Sequence, residues 1–101
     1  MAQAPGGFPL IQELVRQRKY YWSNHVGQQV DAGEFDETDL EACIRSGSVK
    51  KTERDRLGNS VGNKVYVIVG RDAKGRRFYT AGKILRSNGH QYFFITAHQA
   101  R

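Results

Sequence analysis

The spacing of apolar residues changes at Gly47, and this change constrains the fold more than any other feature of the chain. Before Gly47, apolar residues such as Leu10, Ile11 and Leu14 recur at the period of a helix that buries one face. After Gly47, β-branched and aromatic residues come in short runs separated by Gly, Asn and Asp, which is typical of strands joined by tight turns. The sequence therefore predicts an α+β fold in which the helices come first.

Two helices are predicted in the first third of the chain. The first spans residues 9–18 and begins with a proline, which suits a first helical turn. The second runs to about Val30, with Ser23 or Asn24 as its N-cap. The aromatic residues 20–22 between them are expected to cover the joint between the two helices.

A third helix has the clearest start. Asp36 is placed as its N-cap and Asp39 lies three residues later, which is the spacing of a capping box. Within the helix, Leu40, Cys43 and Ile44 form one apolar stripe. We therefore expect Cys43 to be a small core residue rather than a reactive thiol.

Four strands are predicted after the helices. They are residues 48–54, 65–69, 78–85 and 92–97. The first is rich in Lys, Thr and Arg, which favours an edge strand because charged side chains discourage further pairing. The other three are linked by turn sequences and are expected to form an antiparallel meander. The expected architecture is two to three N-terminal helices packed on a four-stranded antiparallel sheet.

The length of 101 residues fits one domain. Residues 1–8 are expected to form a disordered leader, and residues 9–101 the single α+β domain. No apolar run approaches the roughly 18 residues of a membrane span, and the start lacks the pattern of a secretory signal, so we expect a cytoplasmic protein with no membrane partner. A single cysteine excludes an intramolecular disulfide and a multi-thiolate zinc site.

Charge is divided unevenly between the two halves of the chain. Residues 1–44 hold three basic and seven acidic residues, a net charge of −4, whereas residues 45–101 hold thirteen basic and three acidic residues, a net charge of +10. Clustered positive charge attracts phosphates, so RNA or another nucleic acid is the expected partner. A solvated sheet face, a membrane surface or an acidic protein partner would give the same signal.

Several chemistries are disfavoured by missing motifs. The chain has no glycine-rich phosphate loop and no Gly-x-Ser-x-Gly elbow, so we expect neither a nucleotide cofactor nor a Ser-His-Asp hydrolase. The histidines His25, His90 and His98 lie far apart without an acidic cluster, so no metal or other cofactor is expected. What remains is the chemistry of His with Arg or Lys acting on phosphate.

Several segments resemble domain-of-unknown-function family 4258. They are residues 21–26 (YWSNHV), 35–41 (FDETDLE), 44–49 (IRSGSV), 64–72 (KVYVIVGRD), 75–76 (GR) and 94–98 (FITAH). Members of that family resemble small RNase toxins of the RelE-like and barnase-like kind, in which a helix pair packs on an antiparallel sheet whose open face holds RNA. The family pattern has Ser-x-x-His or Ser-x-His at a helix start, and Ser23 and His25 fit it. It usually has a further basic residue later on that helix, where this chain has Gln28 and Gln29.

Cleavage of RNA through its 2′-OH needs a base, an acid and fixed positive charge on the phosphate. His25 and His98 are the candidates for proton transfer, since imidazole titrates near neutral pH, and Glu53 is an alternative base. Each also has a structural interpretation. His25 could pack beside Trp22, His98 could be an exposed residue at the end of the last strand, and Glu53 could be an edge-strand charge.

Basic and aromatic residues are interleaved in the predicted strands, a pattern in which cations hold phosphates while rings stack on bases. The candidate phosphate-binding residues are Arg54, Arg71, Arg76, Arg77 and Lys83. Because strand side chains alternate between faces, about half of the aromatic residues must face the helices. Tyr79 and Tyr92 are the two expected to stack on bases.

The sequence and the resemblance together predict an RNA-binding domain of the ribonuclease toxin type that cleaves RNA without a metal, or a diverged inactive relative. The alternative is a non-catalytic module that binds nucleic acid or protein through the same basic sheet. A third hypothesis is pairing with an acidic antitoxin-like protein that covers the basic half.

Overall fold

The chain folds as α+β in a computed structural model, which describes residues 7–86 and 89–100. Within those residues there are three α-helices and five strands. In chain order they are α1 (Gly7–Arg16), β1 (Tyr20–Trp22), α2 (Asn24–Asp31), α3 (Glu37–Ser46), β2 (Ser48–Arg54), β3 (Lys64–Arg71), β4 (Arg77–Arg86) and β5 (His90–Gln99). A single 3-10 turn, Val61–Asn63, precedes β3.

The N-terminal helix starts earlier than the sequence predicts. Gly7 and Phe8 belong to α1, and Phe8 packs against the core, so these two residues are not part of a disordered leader. The rest of the predicted leader, residues 1–6, lies outside the described residues, as do Ser87 and Asn88 of the last predicted turn and Arg101.

The predicted helix caps of α2 and α3 are confirmed. The Ser23 hydroxyl accepts a hydrogen bond from the Val26 N–H at 3.2 Å. The Asp36 carboxylate accepts from the Asp39 N–H, and the Asp39 carboxylate accepts from the Asp36 N–H at 3.0 Å, which completes the capping box. Each cap satisfies N–H groups that have no partner inside the helix.

The sheet has one strand more than predicted. Its order is β1-β5-β4-β3-β2, and β1 pairs with β5 in parallel while the other neighbours are antiparallel. The aromatic run 20–22 is therefore a strand and not a cover for a helix joint. Aromatic side chains suit strands, and hydrogen bonds from the Tyr92 N–H to the Lys19 carbonyl and from the Ser23 N–H to the Phe94 carbonyl extend the pairing beyond β1.

The three helices cover one face of this sheet. The strand residues buried against them are Tyr66, Ile68, Phe78, Ile84, Tyr92 and Phe94. The helix residues that pack on these are Ile11, Leu14, Val15, Val26, Leu40, Cys43 and Ile44. The predicted apolar stripe of α3 is thus confirmed. Burial raises the pKa of the Cys43 thiol to about 11, so the thiolate is disfavoured, as expected of a core cysteine.

Two glycines let the end of α3 lie directly on β3. A Cβ atom at Gly70 would lie 2.3 Å from the Cys43 carbonyl oxygen and 2.9 Å from the Cα of Gly47. Both contacts are with backbone, which cannot rotate away as a side chain would. Glycine at position 70 therefore sets how closely the helical layer approaches the sheet.

None of the helices in the described ranges has the length and apolar character needed to cross a membrane.

Candidate nucleic-acid interface

The face of the sheet away from the helices, called the open face below, carries an exposed aromatic stack. Tyr79 on β4 lies opposite His98 on β5, and their ring centroids are 4.5 Å apart with an interplanar angle of 20°. Tyr79 is partly exposed and His98 is exposed. The imidazole Nδ1 lies 3.0 Å from the carbonyl oxygen of Gln99. The pair therefore presents flat ring surface to solvent at the end of the last strand, where one of the predicted stackers and one of the predicted catalytic histidines meet.

Two arginines face each other beside this stack. Arg71 on β3 lies opposite Arg77 on β4, and both are exposed. Arg77 is two residues before Tyr79, so alternation places its side chain on the same open face. Neither arginine has an ion pair among the described residues, although the Arg71 guanidinium donates to the Gly75 carbonyl at 3.0 Å. Like charges directly across a ladder cost stability, so this pair concentrates positive charge that no described carboxylate neutralises.

Arg76, also a predicted phosphate contact, is engaged in the β3–β4 hairpin. Its guanidinium donates to the buried carboxylate of Asp72 at 3.0 Å, and that carboxylate also accepts from the backbone N–H groups of Lys74 and Arg76. Burial raises the pKa of Asp72, but these hydrogen bonds outweigh it and hold the pKa below its ordinary value. Arg76 therefore shapes the turn that carries Arg71 and Arg77 at its two ends.

Lys83 does not fit its predicted role as a phosphate clamp. It is only 4% exposed, and its ammonium lies 3.3 Å from the Asp55 carboxylate and 3.1 Å from the side-chain oxygen of Asn59. Residues 55–63 fold over it, and Ser60 forms a bridge with Leu85 of β4. A cation covered by its own ion pair is not available to a ligand.

Asp55 is the centre of that covered cluster. Hydrogen bonds from the Ser60 hydroxyl at 2.6 Å, the Leu57 N–H and the Lys83 ammonium hold the pKa of Asp55 below its ordinary value, although burial acts in the opposite direction. The loop therefore depends on the ionised carboxylate.

Tyr92 does not fit its predicted role as a base stacker. It is fully buried on the helix side, with its ring 4.9 Å from that of Phe94. Its hydroxyl has no hydrogen-bond partner among the described residues. Alternation along β5 puts the neighbouring Phe93 on the open face instead.

Glu53 and Arg54 lie too far from the stack to act with it. Both are on β2, which is three strands away from β5 in the sheet order. At about 4.8 Å per strand, roughly 14 Å separates Glu53 from His98 before any offset along the strands is added. Glu53 is paired with Lys51 at 3.0 Å, and Arg54, the next residue, points to the opposite face. Glu53 therefore cannot serve as the base for a phosphate held at His98.

His25 lies in the first turn of α2 and is exposed. Its side chain makes no hydrogen bond with another described residue, and none joins it to His98. The nearby Ser23 hydroxyl has a structural task, since it caps α2 and donates to the Ile95 carbonyl at 2.8 Å. Helix capping and the contact with β5 therefore account for the serine of the Ser-x-His pattern at this helix start.

Two aromatic residues of the open face were not singled out from the sequence as ligand contacts. Tyr21 of β1 lies opposite Phe93 of β5, with ring centroids 5.0 Å apart and an interplanar angle of 45°. Tyr21 is 41% exposed. The sequence feature that indicated Tyr21 as a strand residue was the aromatic run 20–22, because aromatic residues are enriched in strands.

Comparisons with known proteins leave the function open. The chain matches no protein-family model, no curated protein and no solved structure. Within residues 7–86 and 89–100, no three His, Cys, Asp or Glu side chains are grouped so that they could hold a metal ion. The functional assignment therefore rests on the chemistry of the open face itself.

Replacement of Lys83 by Met is expected to destabilise the fold in a pH-dependent way. At neutral pH the variant leaves the Asp55 carboxylate ionised and covered without its cation, so the urea midpoint should fall clearly. Native Asp55 has a depressed pKa, so its stabilising effect is present above the ordinary pKa of about 4 and is lost as the pH falls through the depressed value. The difference between variant and wild type should therefore shrink as the solution is acidified below the ordinary carboxylate pKa.

The matched control is Lys51→Met, which removes an exposed ion pair with Glu53 and should change the midpoint little at either pH. Equal destabilisation by Lys83→Met and Lys51→Met would contradict the covered ion pair.

Proposed function

We propose that this domain binds single-stranded RNA on the open face of its sheet. The observation that carries the proposal is the exposed Tyr79–His98 stack beside the facing pair Arg71 and Arg77. Flat rings bind bases through their faces, and guanidinium groups bind phosphate through two parallel hydrogen bonds. The two rings and the two guanidinium groups lie next to each other on the same surface. Bases and phosphates alternate along a single strand, so one strand contacts both kinds of group.

A single strand suits this surface better than a duplex. In a helix the bases are already stacked on one another, so an aromatic ring on a protein surface can reach only bases that are splayed out. The described part of the sheet also offers no exposed helix or ribbon on the open face that could enter a groove. Its rings and cations favour contacts with unpaired bases and their phosphates.

The net charge of the second half of the chain supports a polyanionic ligand. Once Arg76 and Lys83 are assigned to Asp72 and Asp55, Arg71 and Arg77 are the predicted cations that remain next to the stack. A contact with few phosphates gives modest affinity that depends measurably on salt.

Binding of a short unstructured RNA tests this proposal. Tyr79→Ala should weaken binding about 5- to 150-fold, the range for loss of one base stack, whereas Tyr79→Phe should bind almost as well as wild type. Arg77→Ala should weaken binding and reduce the slope of log K against log salt by about 1. Fluorescence anisotropy at several salt concentrations measures both effects.

Arg45→Ala is the matched control, because Arg45 is also exposed but belongs to α3 on the helical side. It should leave the affinity and the salt slope nearly unchanged. Equal weakening by Arg45→Ala and Arg77→Ala would mean that the RNA responds to net charge alone, and the proposed interface would be wrong.

A second candidate is metal-independent ribonuclease activity, for which the position of His98 is the specific support. Among the three histidines, His98 is the one beside both the aromatic stack and the arginines. As a base it would take the proton of a 2′-OH, whose oxygen then attacks the phosphorus. The 5′-oxygen would leave with a proton from water, giving a 2′,3′-cyclic phosphate and a 5′-OH end.

Incubation of RNA with the protein in EDTA tests this second candidate. Cleavage should persist in EDTA, disappear in His98→Ala and survive in His25→Ala, because only His98 adjoins the stack. Intact RNA with the wild-type protein, together with salt-dependent binding, would reject ribonuclease activity and leave the binding function.

A further inference from the structure

The open face carries a second aromatic pair at the far end of β5. Tyr21 and Phe93 pack against each other at 5.0 Å, and both project away from the core because their neighbours Tyr20, Trp22 and Phe94 pack into it. β1 is the edge strand on this side of the sheet, so no further strand of residues 7–86 and 89–100 lies beyond Tyr21. Tyr21 is 41% exposed, more than any other aromatic residue in the described part of the chain.

The two aromatic pairs lie on a common path. Phe93 and His98 belong to the same strand, and an extra residue at Ile95, where the pairing with β4 shifts register, puts both on the open face. Their partners Lys83 and Tyr79 are four residues apart on β4, which corresponds to about 13 Å. Between the pairs, Ala81 and Thr96 face each other and have short side chains. Lys83, opposite Phe93, lies under the 55–63 loop, which bounds the path on the β4 side.

We infer that Tyr21 and Phe93 form a second base-stacking subsite, and that the ligand is a single RNA strand of at least three nucleotides running along β5. This inference rests on the proposed RNA-binding function and goes further by assigning the length and path of the ligand. Each subsite takes one base, and the phosphates between them pass over Ala81 and Thr96.

The minimum length follows from the distance between the two subsites. A stacked strand advances about 3.4 Å per nucleotide, and a single step stretched to roughly twice that rise falls well short of about 13 Å, whereas two such steps cover it. Two steps join three nucleotides. A dinucleotide can therefore occupy one subsite but not both, and sites of roughly 4 to 16 nucleotides are usual for proteins that bind single strands on a sheet.

The experiment measures the affinity of oligouridylates from two to eight nucleotides for the wild type and for Tyr21→Ala. The wild type should show a sharp increase in affinity when the length reaches about three to five nucleotides, because the second base then stacks. Tyr21→Ala should lack this increase and bind the octamer about 5- to 150-fold more weakly, while its affinity for the dinucleotide stays the same within about twofold.

Tyr21→Phe is the matched control, since it keeps the ring and should keep the increase. Urea midpoints of the Tyr21 variants confirm that the fold is intact. If Tyr21→Ala keeps the length-dependent increase while Tyr79→Ala weakens binding at every length, the second subsite is wrong and the proposed function stands. If the wild type binds no oligouridylate at all, the proposed function fails and the second subsite fails with it.

Discussion

Burial of one face of the sheet under three helices is the constraint on which the rest of this structure depends. Tyr66, Phe78 and Phe94 are committed to the core, and because strand side chains alternate, their neighbours must point the other way. None of the three α-helices among the described residues lies on that other face. The exposure of Tyr79, His98 and the two arginines is thus a consequence of how the core forms.

Two loops next to the open face hold basic residues in ion pairs. The 55–63 loop withdraws Lys83 into an ion pair with Asp55, and the β3–β4 hairpin binds Arg76 to Asp72. Arg71 and Arg77, which have no ion pair among the described residues, lie next to the aromatic stack. Of the predicted phosphate contacts, these two are therefore the ones best placed to act together with the rings.

Local signals in the sequence predicted most of the elements but only part of the site. The capping box at Asp36 and the apolar stripe of α3 depend on residues a few positions apart, so they could be identified directly. The parallel pairing of β1 with β5 joins residues about 70 positions apart, which no local pattern reveals. Tyr92 is buried and Phe93 is not, because Tyr92 lies on the face of β5 that the helices cover. The local sequence does not indicate which alternate residues occupy that face. Lys83 was misassigned because its partner Asp55 approaches only when the loop folds back.

The central claim is that RNA contacts the open face and not the helical side. A titration of the isotope-labelled protein with octauridylate at low salt, followed by amide chemical shifts, measures this directly. Binding on the open face predicts shifts that concentrate in the open-face segments of β4 and β5 around Tyr79 and His98 and extend to Tyr21, with little change in α1 and α3. Shifts confined to α1 and α3, or no shifts at saturating oligonucleotide, would contradict it.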